Sequence, residues 1–382
     1  MELYIHLPFC LRKCRYCDFP SWPGCESLMP RYVDALLTEA AALSTQYARP
    51  AIETVFIGGG TPSLLPASLM TKLLMGLREH FRIPAGIEFT SEANPGTLTE
   101  DWLSAATDGG VNRLSLGMQA YQPELLRTLG RIHDFSQVRD SVKLARHSGI
   151  TNLNLDLMFG LPGQSPAMWR ETLDRALSLQ PEHMSCYGLI PEDGTPLKDD
   201  LDAGRLSLPD EDDERRMYDD TLRVLAEYGY EQYEISNFAL PGHACRHNLG
   251  YWRQVPYIGL GASAASCVPG DASTAYLRLS NPSDLQEYMD MAEHGDWLRR
   301  SCVPVSLEDA RFETMMLGLR TTQGVSEAAF AAMHGMTLEA CYGDRLRSLV
   351  QRKLIMWQDG WCRLTRRGMD VQNAILVELM DD

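Results

Sequence analysis

The strongest constraint on folding in this chain is a rhythm of six short apolar runs, each followed by enough residues for a helix. The runs lie at residues 3–6, 54–57, 87–90, 113–116, 152–159 and 184–189. Helix-period segments fill most of the gaps, at 32–44, 69–81, 136–148 and 169–179. The two states differ in period, because a strand facing one core buries alternate residues and a helix every third or fourth. Strands separated by helices run parallel, since each helix returns the chain to the same end of the sheet. The expectation is an α/β fold with its ligands at the carboxyl ends of the strands. Periodicity alone leaves an open sheet and an incomplete barrel as equal alternatives.

The rhythm stops after Pro191. Residues 199–220 are rich in acid, and Asp210-Glu-Asp-Asp-Glu214 opens a helical stretch over 215–228, where carboxylates suit the positive end of the helix dipole. Past Pro304, helical segments at 308–319, 326–333 and 338–351 lead into two short apolar runs and a last helix from Arg366. That order resembles a winged helix. The expected division is a partial barrel over 1–230, a barrel extension over 231–303, and a smaller C-terminal helical, winged-helix-like domain over 304–382.

Composition narrows the function classes. With 45% apolar and 23% charged residues over 382 positions, the chain has the mix of a soluble globular protein. Its 35 basic residues stand against 51 acidic ones, a net charge of −16 that repels nucleic acid and leaves the tail to packing or partner docking. No apolar run approaches the roughly 18 residues of a membrane span. The opening Met1-Glu-Leu-Tyr-Ile-His carries no basic leader, so a cytoplasmic protein is expected.

Ten cysteines in such a chain are not read as a disulfide framework. Seven are scattered, and three cluster as Cys10-x3-Cys14-x2-Cys17. Three thiolates this close share a metal centre when the backbone wraps around it, and Arg12, Lys13 and Arg15 favour their deprotonation. Structural zinc would need a fourth ligand, from Cys25 or a distant cysteine. A 4Fe-4S cluster with one iron left open needs only three. Other chemistry sits where strands end: Gly58-Gly-Gly-Thr61, Glu92-Ala-Asn-Pro95, Gly117-Met-Gln119 with Arg131 after it, and Asn154-Leu-Asp156. Taken singly, each reads as a tight turn or a loop-capping side chain.

Together these residues carry a family resemblance. Tyr4-Ile-His-Leu-Pro-Phe-Cys10-x3-Cys14-x-Tyr16-Cys17-Asp-Phe19 resembles the signature of radical S-adenosylmethionine (SAM) proteins, in their coproporphyrinogen-dehydrogenase-like group. The resemblance implies an incomplete (β/α)6 barrel, with a 4Fe-4S cluster on Cys10, Cys14 and Cys17. SAM chelates the open iron in that family, and reductive cleavage yields methionine and a 5′-deoxyadenosyl radical. By the same resemblance Tyr16 lies against the adenine, and Gly59, Gly60 and Thr61 receive the methionyl part. Glu92, Gln119, Arg131 and Asp156 contact SAM, with Arg131 suited to its carboxylate, while Tyr4 and Gly188 line the SAM region.

Two features divide the family's branches. The coproporphyrinogen dehydrogenases carry a fourth cysteine two positions beyond the third, where this chain has Phe19. In addition, His247-Asn-Leu-Gly-Tyr251-Trp252 resembles HNxxYW, the haem-binding signature of the haem-chaperone (HemW-type) branch. Neutral histidine and tyrosine oxygen both ligate haem iron, and tryptophan offers a flat apolar face. Without the resemblance, the same residues describe a core histidine among packed aromatics. The resemblance implies haem binding at His247, Tyr251 and Trp252. It also implies delivery of haem, or another tetrapyrrole, to haem-accepting respiratory proteins at a membrane surface, together with an electron donor and a homodimer. Its alternatives are oxygen-independent coproporphyrinogen III oxidation and a radical-SAM methyltransferase or haem-degrading activity on a tetrapyrrole.

Overall fold

A twelve-stranded sheet forms the body of the protein in a computed structural model that describes residues 1–380. Six strands pair in parallel in chain order: β1 (Glu2–Leu7), β2 (Thr54–Gly59), β3 (Glu88–Ala93), β4 (Arg113–Gln119), β5 (Asn152–Phe159) and β6 (His183–Gly188). These are the six apolar runs. Three of them reach further than their apolar residues, through Gly59, Ala93 and Gln119, because the strand ladder satisfies the backbone whatever the side chain. Leu3, Ile5, Val55, Ile57, Leu114, Leu116, Leu153 and Leu155 are fully buried at the centre of the sheet. Each such side chain contributes about 1.5–3 kcal/mol by leaving water.

Helices make the crossovers: α1 (Met29–Gln46), α2 (Ala67–His80), α3 (Glu100–Asp108), α4 (Pro123–Leu129), α5 (Phe135–His147) and α6 (Pro166–Leu177). Helix α3 is too short to show a clear period. It is fixed instead by the Thr99 hydroxyl, which caps Trp102 N, and by burial of Trp102 and Leu103. The chain then passes through α7 (Pro196–Asp202) and α8 (Glu211–Glu227). Helix α8 starts earlier than its apolar period suggested. Asp210 is its N-cap, so the following acids form the first turn itself.

Residues 231–306 add strands to both edges of the six, so the sheet runs past the expected boundary at 303. Beyond β6 come β8 (Asn237–Ala239) and β7 (Glu231–Gln232), both antiparallel. On the other side β9 (Tyr257–Leu260) pairs parallel with β1, followed by antiparallel β10 (Ala265–Pro269), β11 (Thr274–Ser280) and β12 (Ser301–Ser306). Between the two groups, helix α9 (Arg246–Trp252) packs against the first residues of β1, β2 and β3. The Glu88 carboxylate accepts from the backbone N–H groups of Arg246 and His247 at 2.8 and 2.9 Å and so caps that helix. A Cβ at Gly250 would lie 1.8 Å from a Glu2 carboxylate oxygen, so only glycine lets α9 approach this closely.

After α10 (Leu285–His294), the tail runs α11 (Leu307–Gly318), β13 (Val325–Ser326), α12 (Glu327–His334), α13 (Leu338–Gln351), β14 (Ile355–Gln358) and β15 (Trp361–Leu364). Two short helices, α14 (Arg366–Asp370) and α15 (Gln372–Leu379), follow. Helix, strand, two helices and a hairpin make the winged-helix order, closed by a three-stranded sheet and a core of its own around Phe330, Leu346 and Leu349. All ten cysteines are free thiols, and among the described residues no helix is long and apolar enough to cross a membrane.

One buried carboxylate ties the added strands to α1. Glu39 accepts from Gly261 N, Asn281 Nδ2, the Tyr288 hydroxyl and the Arg300 guanidinium. Replacing Arg300 by Met strands that charge in the core, so Arg300→Met is expected to cost about 3–5 kcal/mol in urea unfolding. A loss under about 1 kcal/mol would contradict this role for the ion pair.

Candidate functional site

The three clustered cysteines lie on a loop leaving the carboxyl end of β1. Pro8 ends the strand, and the loop is pinned where it leaves and where it returns. Phe9 and Cys10 pair with Trp22 and Pro23, and Trp22 N donates to Pro8 O at 2.7 Å. The His6 ring holds the returning chain through Pro20 O at 2.8 Å and is itself held by the Tyr4 hydroxyl at 3.0 Å. His6 also fills the space beside Gly59, where φ is +110° and a Cβ would lie 2.5 Å from the ring. At the loop's crown, Arg15 N bonds Leu129 O, Leu197 N bonds Arg15 O, and the Arg15 side chain pairs with Asp200.

The sulfurs are half-buried with polar neighbours. The Thr61 hydroxyl donates to Cys10 Sγ at 3.6 Å, and Arg131 to Cys14 Sγ at 3.5 Å. Burial pushes the Cys17 thiol up to about 11 and raises Cys10 as well, so ligation there releases protons. Among the described residues no three His, Cys, Asp or Glu side chains gather as a site for a single metal ion. The donor set fits a cluster by its chemistry: three thiols on one anchored loop, with a guanidinium and a hydroxyl aimed at sulfur.

The loop borders a cavity of about 1180 Å³ over the carboxyl ends of the parallel strands. That volume exceeds the roughly 300–1,000 Å³ of a pocket for one small ligand. Cys10, Cys14, Tyr16, Cys17, Gly59, Gly60, Glu92, Gln119, Arg131, Asp156 and Gly188 all line it. Glu92 accepts from Gly59 N at 3.1 Å, and burial, aided by the charge of Asp156, pushes it up to about 7. Burial also raises Asp156, against hydrogen bonds from Asn154 and Ser115 at 2.8 and 3.0 Å. Gln119 adopts a left-handed backbone with φ of +62°, at a register shift between β4 and β5, and accepts from the Tyr187 hydroxyl. Arg131 donates to Gly117 O and Asn94 Oδ1 at 2.6 and 2.7 Å, while its buried Nε has no partner among the described residues. An unpaired buried guanidinium nitrogen fits an anionic ligand such as the SAM carboxylate.

Four expected site residues do not line this cavity, and Thr61 lines only a small neighbouring pocket. Tyr4 is bonded to His6 and stacks on Phe56. His247 is 1% exposed, with Nδ1 bonded to the Thr54 hydroxyl at 2.8 Å and Nε2 to the Tyr251 hydroxyl at 2.9 Å. Burial pushes His247 down to about 3, so the ring is neutral, and ligating iron would break one of its two hydrogen bonds. Tyr251 packs edge-on against His247, and Trp252 lies under the Arg320 guanidinium. Of this motif Asn248 reaches the cavity, and sequence reasoning passed over it. Asn94 and Ser115, which line it, and Asn154, which holds Asp156 from outside the lining, were also missed. Asn94 and Asn154 sit two residues from Glu92 and Asp156, a same-face spacing that could have found them. Asn237, in the Tyr233-Glu-Ile-Ser-Asn237 segment ahead of the motif, also lines the cavity, as does Arg320, which gave no local signal.

Residues 4–176 match the Radical SAM superfamily, and residues 305–371 the HemN C-terminal domain. Heme chaperone HemW of Bacillus subtilis is 36% identical over 97% of this chain and 97% of its own length. The protein of the same name from Synechocystis is 38% identical over 87% and 80%. Among solved structures, coproporphyrinogen III oxidase (HemN) of Escherichia coli aligns with a TM-score of 0.83 at 22% identity, covering 99% of this chain and 89% of that one. That last likeness is one of fold.

The raised Glu92 makes a testable contribution to stability. It binds its proton more tightly folded than at its ordinary value of 4.5, so its stabilising effect is full below pH 4.5 and lost as pH rises through about 7. Glu92→Gln is therefore expected to raise the Tm of the ligand-free protein at pH 8, by a margin that shrinks toward pH 5. A pH-independent difference in calorimetry would contradict it.

Proposed function

Because this chain belongs to the HemW haem chaperone family of the radical SAM superfamily, we propose that it binds haem beside its cluster and SAM and passes it to haem-accepting respiratory proteins. Superfamily membership implies a 4Fe-4S cluster and SAM. In this reading Cys10, Cys14 and Cys17 hold the cluster. Glu92 and Asp156 face the SAM ribose, Arg131 its carboxylate, and Gly59 and Gly60 its methionyl part; Thr61 braces Cys10. Tyr16 and Gly188 line the same space, with Gln119 fixed by Tyr187 and Tyr4 acting through His6. Chemically, a three-thiolate cluster leaves one iron open to chelate SAM and supplies one electron for its cleavage.

The observation that carries the haem reading is a single cavity bordered both by the cysteine loop and by Asn248 of the HNxxYW segment. Met158, Phe159, Tyr218 and Ile235 give it apolar wall for a macrocycle. His247, Tyr251 and Trp252 belong to the haem site as the helix behind that wall; His247 fixes α9 to β2 through Thr54. Phe19 supports the same branch. It is 61% exposed on the cavity rim, where the decarboxylases would place a fourth cysteine. The partners of this reading are an external electron donor, the haem acceptor, met from the cytoplasm at the membrane surface, and a second copy of the chain.

Two experiments test it. Anaerobic reconstitution of Cys14→Ala should abolish the 4Fe-4S absorbance, and a normal cluster yield would sink the ligand assignment. Reconstituted protein given SAM, reductant and coproporphyrinogen III should form no protoporphyrinogen, while haem-loaded protein should transfer haem to an apo-haemoprotein. Protoporphyrinogen formation would instead identify a decarboxylase.

A further inference from the structure

Five cationic side chains line the cavity: Arg12, Lys13, Arg131, Arg215 and Arg320. Four have other commitments or poor placement. Arg12 and Lys13 are exposed on the cysteine loop. Arg131 is engaged with Cys14, Asn94 and Gly117. Arg215 lies between two carboxylates, Asp219 and Asp370. Arg320 differs from all of these. Its guanidinium stacks 4.7 Å over the Trp252 ring, and its Nε stands 3.3 Å from the buried Glu234 carboxylate. Its two terminal nitrogens hold no hydrogen bond among the described residues.

The backbone fixes Arg320 as firmly as the ring does. It stands just past α11, where Thr322 N donates to Tyr233 O at 3.0 Å and Thr321 bridges Glu234. The tail thus delivers one charged group to the wall of a cavity built by the barrel. Stacking holds a guanidinium plane while leaving its edge donors free, a geometry suited to a carboxylate. Beside it Asn237, 9% exposed, has a buried Oδ1 with no partner among the described residues, so the polar side of this wall is built but unfilled by protein.

Resting on the haem reading above, we propose that Arg320 binds a propionate carboxylate of the tetrapyrrole and that Trp252 is the residue that positions it. A haem molecule is a flat apolar ring with two anionic groups on one edge. Such a ligand needs apolar walls and a preorganised cation at their margin. Glu234 balances the Arg320 charge from the protein side, and a propionate takes the free terminal donors. The HNxxYW segment then serves haem through Trp252 and Asn248, with His247 holding the helix in place.

The test is a titration of the cluster-reconstituted full chain with ferric haem and, in parallel, with haem dimethyl ester, whose propionates are uncharged. The parent should bind haem more tightly than the ester. Arg320→Met should weaken haem binding by roughly tenfold to a hundredfold and leave ester binding unchanged. Arg320→Lys keeps the charge beside Glu234 but loses the planar fork, and should fall between the two. It decides on the same criterion if the Met variant does not fold. Equal losses for both ligands, or none for either, would overturn the propionate assignment. A parent protein that binds neither ligand would overturn the haem reading on which it rests.

Discussion

Parallel pairing of β1 with β2 on one side and β9 on the other buries a six-residue strand whose two ends serve different parts of the site. Its first residue, Glu2, meets Gly250 and so sets how closely α9 can approach. Its inward side chains Tyr4 and His6 bond to one another, and His6 carries the returning cysteine loop through Pro20. Its carboxyl end releases the loop that holds all three clustered thiols. Tyr4 stacks on Phe56, which stacks on His247. One packed column therefore joins the helix beneath the barrel to the loop above it. Moving β1 by one residue would turn these side chains to the other face and dismantle both ends together.

The interior that this strand frames is unusually polar. Glu2 is pushed up to about 8 by burial and Glu92 to about 7, while the buried Arg113 feels the charges of Glu88 and Asp156 and in turn acts on Glu92. Groups of this kind lower the stability of the protein by itself, since their charged forms have lost water without full replacement. Of these, Glu92 lines the cavity, where a polar ligand would supply the missing partner. The same holds for Arg131 Nε and Asn237 Oδ1, both buried and unpaired among the described residues. The ligand-binding chemistry is written in what the protein leaves unsatisfied.

Much of this was legible in the sequence because it was local. The six apolar runs named the parallel strands, since a buried strand and a surface helix differ in period. The cysteine spacing named its own loop, because ligands on one loop must be close in sequence. The HNxxYW segment was legible as a motif but not as a geometry. Sequence could not show that Glu88, on a distant strand, caps its helix, turning His247 toward Thr54 and Asn248 toward the cavity. Arg320 was invisible for the same reason. It reaches the cavity through backbone contacts between the tail and Tyr233 that no pattern of residue types encodes. The acid-rich start of α8 was misread by a turn, because the N-cap Asp210 rather than the apolar period sets the boundary.

In the proposed function one cavity serves cluster, SAM and haem together. This is tested most directly by crystallising the reconstituted protein with SAM and haem under anaerobic conditions and locating iron by anomalous scattering. The cluster irons should lie at the cysteine loop and a separate haem iron inside the same cavity, within the walls that include Met158, Asn248 and Arg320. A haem iron on the outer surface, or one ligated by a cysteine away from the loop, would contradict it.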